Sequence, residues 1–241
     1  MKKSKIVVIA AMLLLVSSVA YGETKKWSDE AELSYVETSG NTEVKTLSAK
    51  NLLQYRFSEK LKGTWELGVL YGETDEEKTA EKYNTELRLD RSVTERFFAF
   101  FAGGWEKDEF AGIDARYYGG PGVGYKIIDG PKHLLLTEVG LNYVKEEYTD
   151  NSDSDYLEGR FFAKYGYSFT EKTRFSQTFE YLHDFDNSDN YNINAESAII
   201  AALNNYLSLK TSYLIEYDHE PVPADLDTTD TTLSVALVVN F

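Results

Sequence analysis

Apolar and polar residues alternate with a period of two along most of the chain. In the closing stretch, 229–241, Leu233, Val235, Leu237, Val239 and Phe241 share one parity, and Thr232, Ser234, Ala236, Val238 and Asn240 share the other. An extended strand sends successive side chains to opposite faces, so this stretch has one apolar face and one mostly small or polar face. The same alternation, punctuated by turn residues, predicts about twelve strands: 27–38, 43–57, 61–73, 81–93, 97–108, 114–127, 133–145, 155–169, 173–186, 190–203, 207–219 and 229–241. No linker or composition break divides the series, which predicts a single antiparallel all-β domain over 23–241.

Two kinds of connection alternate. One set is short, at 58–60, 94–96, 128–132, 170–172 and 204–206; the other tends to be longer and acidic, at 74–80, 146–154 and 220–228, although the first, 39–42, is tight. Short turns at one end and longer loops at the other are the layout of a transmembrane β-barrel, with the short turns in the periplasm. An even strand count puts both termini at that end.

A three-residue turn pairs residue i with i+4, so parity passes from strand to strand without a slip. Four short turns read this way pair Phe57 with Leu61, Val93 with Phe97, Phe169 with Thr173, and Leu203 with Leu207. Odd positions then form one face, including Leu33, Leu47, Trp65, Leu87, Val139, Phe161, Ile199 and Leu209. The even face carries Glu32, Lys50, Arg56, Glu66, Glu86, Arg88, Arg116, Lys126, Glu138, Glu158, Arg160, Lys164, Arg174, Glu180, Glu196, Lys210 and Glu216. Charges of both signs, nearly balanced in a narrow lumen, predict ion-pair ladders between neighbouring strands, with Glu86-Arg88-Asp90 and Glu158, Arg160 and Lys164 as members. This face is the candidate site, either as a network that stiffens or plugs the barrel or as the charged wall of a solute path.

Periodicity does not say which face is inside, because a soluble ligand-binding barrel alternates in the same way with its apolar face inward. Twelve strands, however, make a barrel too wide to fill easily with a dry core. Aromatics also collect toward strand ends, as with Trp65 and Tyr71 or Phe175 and Tyr181, where interfacial girdles lie. Residues 1–22 read as a cleavable secretory leader: Lys2, Lys3 and Lys5, an apolar run 6–16, and small residues at Ser18-Val19-Ala20 or Ala20-Tyr21-Gly22. Removing it takes away three lysines and no acids, which moves the formal charge from −15 to −18. Such acidity argues against a nucleic-acid partner, and the absence of cysteine excludes disulfides and thiolate chemistry.

Other chemistry finds little support. Of His133, His183 and His219, only His183 lies on the lipid-facing parity within a strand. Symmetric closure of 186–190 pairs it with Ile193 and leaves Ser197 about four residues, roughly 13 Å, away, which is no dyad. No catalytic residue is predicted. The run Asp150-Asn151-Ser152-Asp153-Ser154-Asp155 fails the EF-hand pattern, with Tyr156 at the glycine position and Phe162 at the bidentate glutamate. The run is read as a solvated loop whose charge keeps the outer end soluble, with loose divalent-cation binding near lipopolysaccharide phosphates as the alternative and no metal site predicted. Gly119-Gly120-Pro121-Gly122 lies inside a strand pattern and opens no helix, so it is assigned to barrel shape and not to phosphate binding.

Ser39-Gly40-Asn41-Thr42 in the first hairpin, Tyr118-Gly119-Gly120-Pro121-Gly122-Val123-Gly124-Tyr125, and the closing Val238-Val239-Asn240-Phe241 occur in order along the chain. Together they resemble the salt-induced outer-membrane protein family catalogued as domain of unknown function 481, over nearly all of the mature sequence. The resemblance implies an outer-membrane barrel linked to salt or osmotic conditions and brings no catalytic residues. The resulting expectation is a single transmembrane β-barrel in the cell outer membrane, without a cofactor, serving envelope adaptation to salt. Its alternatives are a narrow channel for small solutes or ions, and a lipid-active enzyme that the histidine geometry disfavours. The expected partners are outer-membrane lipids and lipopolysaccharide, and the barrel-assembly machinery through the strand ending at Phe241.

Overall fold

The computed structural model describes residues 26–38 and 44–241. The leader read at 1–22 and the Ser39-Gly40-Asn41-Thr42 signature lie outside the described residues. Twelve strands follow one another: β1 (Trp27–Thr38), β2 (Val44–Arg56), β3 (Leu61–Thr74), β4 (Glu77–Ser92), β5 (Phe97–Asp108), β6 (Ile113–Asp129), β7 (His133–Tyr148), β8 (Asp153–Ser168), β9 (Thr173–Asp184), β10 (Tyr191–Ala202), β11 (Leu207–Asp218) and β12 (Thr229–Asn240). Each pairs antiparallel with its sequence neighbours, and β12 pairs with β1 to close a barrel.

The four short turns pair as the sequence predicts. The N–H groups of Phe57, Val93 and Phe169 donate to the carbonyls of Leu61, Phe97 and Thr173 at 2.9 Å, and that of Leu203 to Leu207 at 2.8 Å. Each turn is also held by the side chain of its first residue. Ser58 Oγ, Thr94 Oγ1, Thr170 Oγ1 and Asn204 Oδ1 each accept the N–H groups two and three residues on. Ser, Thr and Asn at this position satisfy donors that a three-residue turn otherwise leaves to water.

Parity is thereby fixed, and the structure settles which face is inside. Glu138 and Glu158, both even, are 4% and 2% exposed inside the barrel, whereas Leu87 and Leu233, both odd, are 63% and 73% exposed on its outer wall. A buried polar pair also stands on the outward parity, where Asn51 Nδ2 donates to Asp29 Oδ1 at 2.6 Å. Aromatic contacts mark both ends of the outer wall. Tyr55–Phe57 and Tyr167–Phe169 meet edge to face at 4.9 Å near the short turns, and Tyr191 stacks on His219 at 4.6 Å near the loops.

The loop end differs in detail from the sequence pattern. β4 begins at Glu77, so Asp75 and Glu76 alone turn the chain, with φ of 50° and 70°. β7 runs to Tyr148 and β8 starts at Asp153, which leaves four residues between them. Polar composition suggested irregular loops at both places, but a paired ladder satisfies backbone groups equally well where both faces meet water. The β11–β12 connection, 219–228, remains long. The closing seam is short: β1 and β12 share four register pairs, Glu30–Asn240 to Leu33–Leu237.

The glycine-rich run lies within β6, as expected. A Cβ on Gly122 would stand 2.1 Å from the ring of Phe100, and one on Gly124 2.1 Å from the ring of Phe98, so the two rings occupy space that side chains would take. Register pairing between β6 and β7 passes from Gly119–Tyr143 to Gly122–Gly140 with no pair at Gly120 or Pro121, as a residue without an N–H requires. Gly122→Ala is expected to cost about 1–3 kcal/mol of stability by overpacking. In a Phe100→Ala background the same change should cost almost nothing, a coupling measurable by urea unfolding of the refolded barrel in detergent.

Candidate functional site: the charged lumen

The even face lines the inside of the barrel and gathers its ionisable side chains into three groups. The central one begins with Arg88 on β4, whose Nη1 and Nη2 donate to Glu138 Oε2 and Oε1 on β7 at 2.9 and 2.7 Å. Arg88 Nε and Nη2 also reach Asp90 Oδ1 at 3.0 and 2.8 Å. Glu138 accepts a further bond from Arg160 Nη1 on β8 at 3.0 Å, and Arg160 Nε donates to Glu180 Oε1 on β9 at 2.7 Å. Asn194 on β10 donates to the other oxygen of Glu180 at 3.2 Å. Forked guanidinium geometry suits such shared carboxylates, and the cations also lie over rings, Arg88 over Phe100 at 4.0 Å and Arg160 over Phe162 at 4.9 Å.

The second group lies toward the loops. Lys82 Nζ on β4 meets Glu106 and Asp108 on β5 at 3.1 and 3.2 Å and Glu216 on β11 at 2.7 Å. Nearby, Arg116 on β6 pairs with Glu158 on β8 and reaches Glu146 on β7 at 3.4 Å. Asn142 Nδ2 donates to the second oxygen of Glu158 at 2.9 Å. The third group sits beside the seam, where Lys210 on β11 joins Glu32 on β1 and Glu196 on β10, each at 3.0 Å.

Most of the residues assigned to the even face meet in these groups. Glu66 and Glu86 stand opposite each other on β3 and β4, and Tyr118 Oη donates to Glu86 at 2.9 Å. Arg56, Lys126 and Lys164 line the lumen near the short turns. Lys50 stands in register with Glu32, and Arg174 lies opposite Ile200, both away from the main cavity. Pairs across neighbouring strands form as predicted at Arg160 with Glu138 and Glu180, Lys82 with Glu106 and Asp108, Arg116 with Glu146, and Lys210 with Glu196. The sequence pattern did not anticipate the pairs that bridge strands that are not neighbours, among them Arg88–Glu138, Lys82–Glu216 and Arg116–Glu158. Long side chains that point into a bore can reach across it as well as along their own strand, where Arg88 meets Asp90. The even parity that identified the other charges also places Lys82, Glu106, Asp108 and Glu146 in the lumen; they were missed.

The histidine pairing also differs. β9 ends at Asp184, whose Oδ1 accepts the N–H groups of Asp186 and Asn187 at 2.7 and 3.2 Å and turns the chain early. His183 therefore faces Tyr191 and not Ile193, and Ser197 lies opposite Gln177, to which its hydroxyl donates. In the acidic run, Asp150 Oδ1 accepts from Ser152 N and Oγ at 2.8 and 2.5 Å, so side-chain and backbone hydrogen bonds hold this loop carboxyl below its ordinary pKa. Asp153 and Asp155 belong to β8, where Asp155 accepts from Tyr143 Oη at 2.8 Å.

Beside the networks runs a cavity of about 1230 Å³. Its lining extends from Ser58, Lys60 and Lys62 at the short turns to Leu226, Asp227 and Thr228 at the loops, passing Arg88, Glu138 and Arg160.

The family described as "Protein of unknown function, DUF481" matches residues 31–241. The "Uncharacterized protein YdiY" of Escherichia coli (strain K12) is 25% identical over 213 residues, covering 88% of this chain and 82% of that protein. Among solved structures, the COG4313 outer membrane channel from Pseudomonas putida F1 is similar with a TM-score of 0.57 at 10% identity, covering 93% of this chain and all of that one. The NanC porin scores 0.52 at 6% identity, covering 88% of this chain and 97% of that one. The translocator domain of autotransporter NalP from Neisseria meningitidis scores 0.51 at 14% identity, covering 98% of this chain and 95% of that one. At these identities the likeness establishes the fold, a closed barrel of the outer-membrane kind.

Glu138 joins two arginines with its side chain 3% exposed, whereas the Glu180 side chain is 24% exposed. Glu138→Ala is expected to cost about 3 kcal/mol, because it leaves two cations facing each other, and Glu180→Ala about 1 kcal/mol. Urea unfolding followed by tryptophan fluorescence checks the order, and equal losses would contradict the assignment of Glu138 as the hub.

Proposed function

The chain belongs to the DUF481 family, and from that premise we propose that it is an outer-membrane channel for small hydrophilic solutes or ions. The observation that carries the reading is the cavity whose lining, ion-paired residues included, reaches from the short turns to the loops. Its walls combine carboxylates, cations and amides, which replace hydration water for small polar solutes without holding any one of them tightly. The outward apolar wall, with aromatic rings at both ends, supports a location in the bilayer. Two structural relatives are themselves named as a channel and a porin.

On this reading the short turns face the periplasm and the acidic loop end meets lipopolysaccharide, with divalent cations between like charges. A passage that equilibrates small solutes across the outer membrane suits envelope adaptation to salt or osmotic conditions, and no step in it calls for a catalytic residue or cofactor. The experiment is single-channel recording of the refolded mature protein in a planar bilayer. Discrete conductance steps are expected, with ion selectivity shifting toward cations in Arg160→Gln. Silence from protein shown to be folded and inserted would overturn the channel and leave a plugged structural barrel.

A further inference from the structure

The lumen charges are not mixed evenly along the barrel. Near the loops the cavity wall carries Glu106, Asp108, Glu216, Asp218 and Asp230, with Lys82 and Arg116 as the cations among them. Near the short turns it carries Arg56, Lys60, Lys62, Lys126 and Lys164, with Glu59 and Asp90 as the acids. Between the two lies the mixed network around Arg88, Glu138, Arg160 and Glu180.

Pairing for stability accounts for only part of this segregation. Arg56 stands directly opposite Lys62 across β2 and β3, and Glu216 directly opposite Asp230 across β11 and β12. Like charges in register are destabilising, so a lumen charged only to hold the wall together would alternate signs at these places. Lys62 reaches Asp90 at 3.9 Å and Lys126 reaches Asp129 at 3.0 Å, but with side chains 43% and 40% exposed both lysines still act on ions in the bore. Fixed charges act on mobile ions within about one Debye length, roughly 10 Å at 0.1 M salt, a distance comparable to the half-width of such a lumen. The loop half is therefore enriched in cations and the turn half in anions.

We propose that the lumen is a fixed-charge junction that conducts ions asymmetrically, admitting small cations through the loop mouth and small anions through the turn mouth. When the loop side is positive, cations enter through the acidic half and anions through the basic half, and both accumulate where the halves meet. When it is negative, both are drawn out and the junction is depleted. The inference rests on the channel reading above and adds a direction to it.

The test is the current–voltage curve of single inserted channels. Orientation is assigned with Asp189→Cys, an exposed loop position in a chain without cysteines, labelled from one side. The current with the loop side positive is expected to exceed the reverse current by roughly twofold at about 0.1 M salt, and the ratio to approach one at 1 M, where screening shortens to about 3 Å. The triple variant Lys60→Gln, Lys62→Gln, Lys126→Gln leaves the turn half with Arg56 and Lys164 against Glu59 and Asp90, and should still insert and give discrete steps, with a clearly reduced asymmetry and a shift toward cation selectivity. Steps of equal size at both polarities would overturn the junction while leaving the channel intact. Absence of steps from folded, inserted protein would overturn both. Asymmetry undiminished in the triple variant would also overturn the junction, because it would place the cause outside these charges.

Discussion

Everything in this barrel depends on side chains keeping to one face for the whole length of the chain. A slip of one residue at any turn would turn a charged row toward the outer wall and an apolar row into the bore. The three-residue turns prevent that slip by two independent bonds: the backbone closure from Phe57 to Leu61 and its counterparts, and the Ser58, Thr94, Thr170 and Asn204 side chains that hold the turn donors. In hydrocarbon no backbone group can turn to water, so a closed antiparallel ladder satisfies the chain only if every register holds at once. The ionisable residues can occupy a bilayer-spanning wall because this constraint keeps them on the inside.

Inside, the problem changes from keeping water out to keeping charges company. A buried carboxylate without a partner is strongly destabilising, and the lumen meets this with cations that reach across the bore, as Arg88 does to Glu138 and Lys82 to Glu216. Small residues on the wall make this reach feasible. Phe98 and Phe100 are set over Gly124 and Gly122, and Arg88 lies over the Phe100 ring. The paired side chains themselves form much of the cavity wall, so the same groups that hold the strands together set the character of the lumen.

Much of this was legible in the sequence because the physics was local. Period-two alternation located all twelve strands, and turn length alone gave the pairing at Phe57–Leu61, Val93–Phe97, Phe169–Thr173 and Leu203–Leu207. The even-face charges were legible as a set, since parity decides which side they take. Their partners were not, because Arg116 with Glu158 or Lys82 with Glu216 depends on how side chains from distant strands cross a bore whose width no local pattern specifies. The same limit explains His183: an Asx-type turn at Asp184 moved its partner from Ile193 to Tyr191, a shift of two residues that leaves the alternation unchanged. At the loop end, Glu77 and Asp153 looked like loop residues by composition and proved to be strand, because beyond the apolar belt a ladder needs no apolar face.

The most direct measurement is the reach of a water-soluble, membrane-impermeant thiol reagent added only from the loop side of the protein in sealed vesicles. The chain has no cysteine, so single cysteines report without background. Asp230→Cys near the loops, Asn194→Cys in the middle and Gln54→Cys near the short turns all replace residues that line the cavity, whereas Leu87→Cys sits on the outer wall. An aqueous passage along the even face predicts labelling at the first three and protection at Leu87→Cys. Labelling at Asp230→Cys alone would show a lumen closed below its loop mouth and would contradict the account.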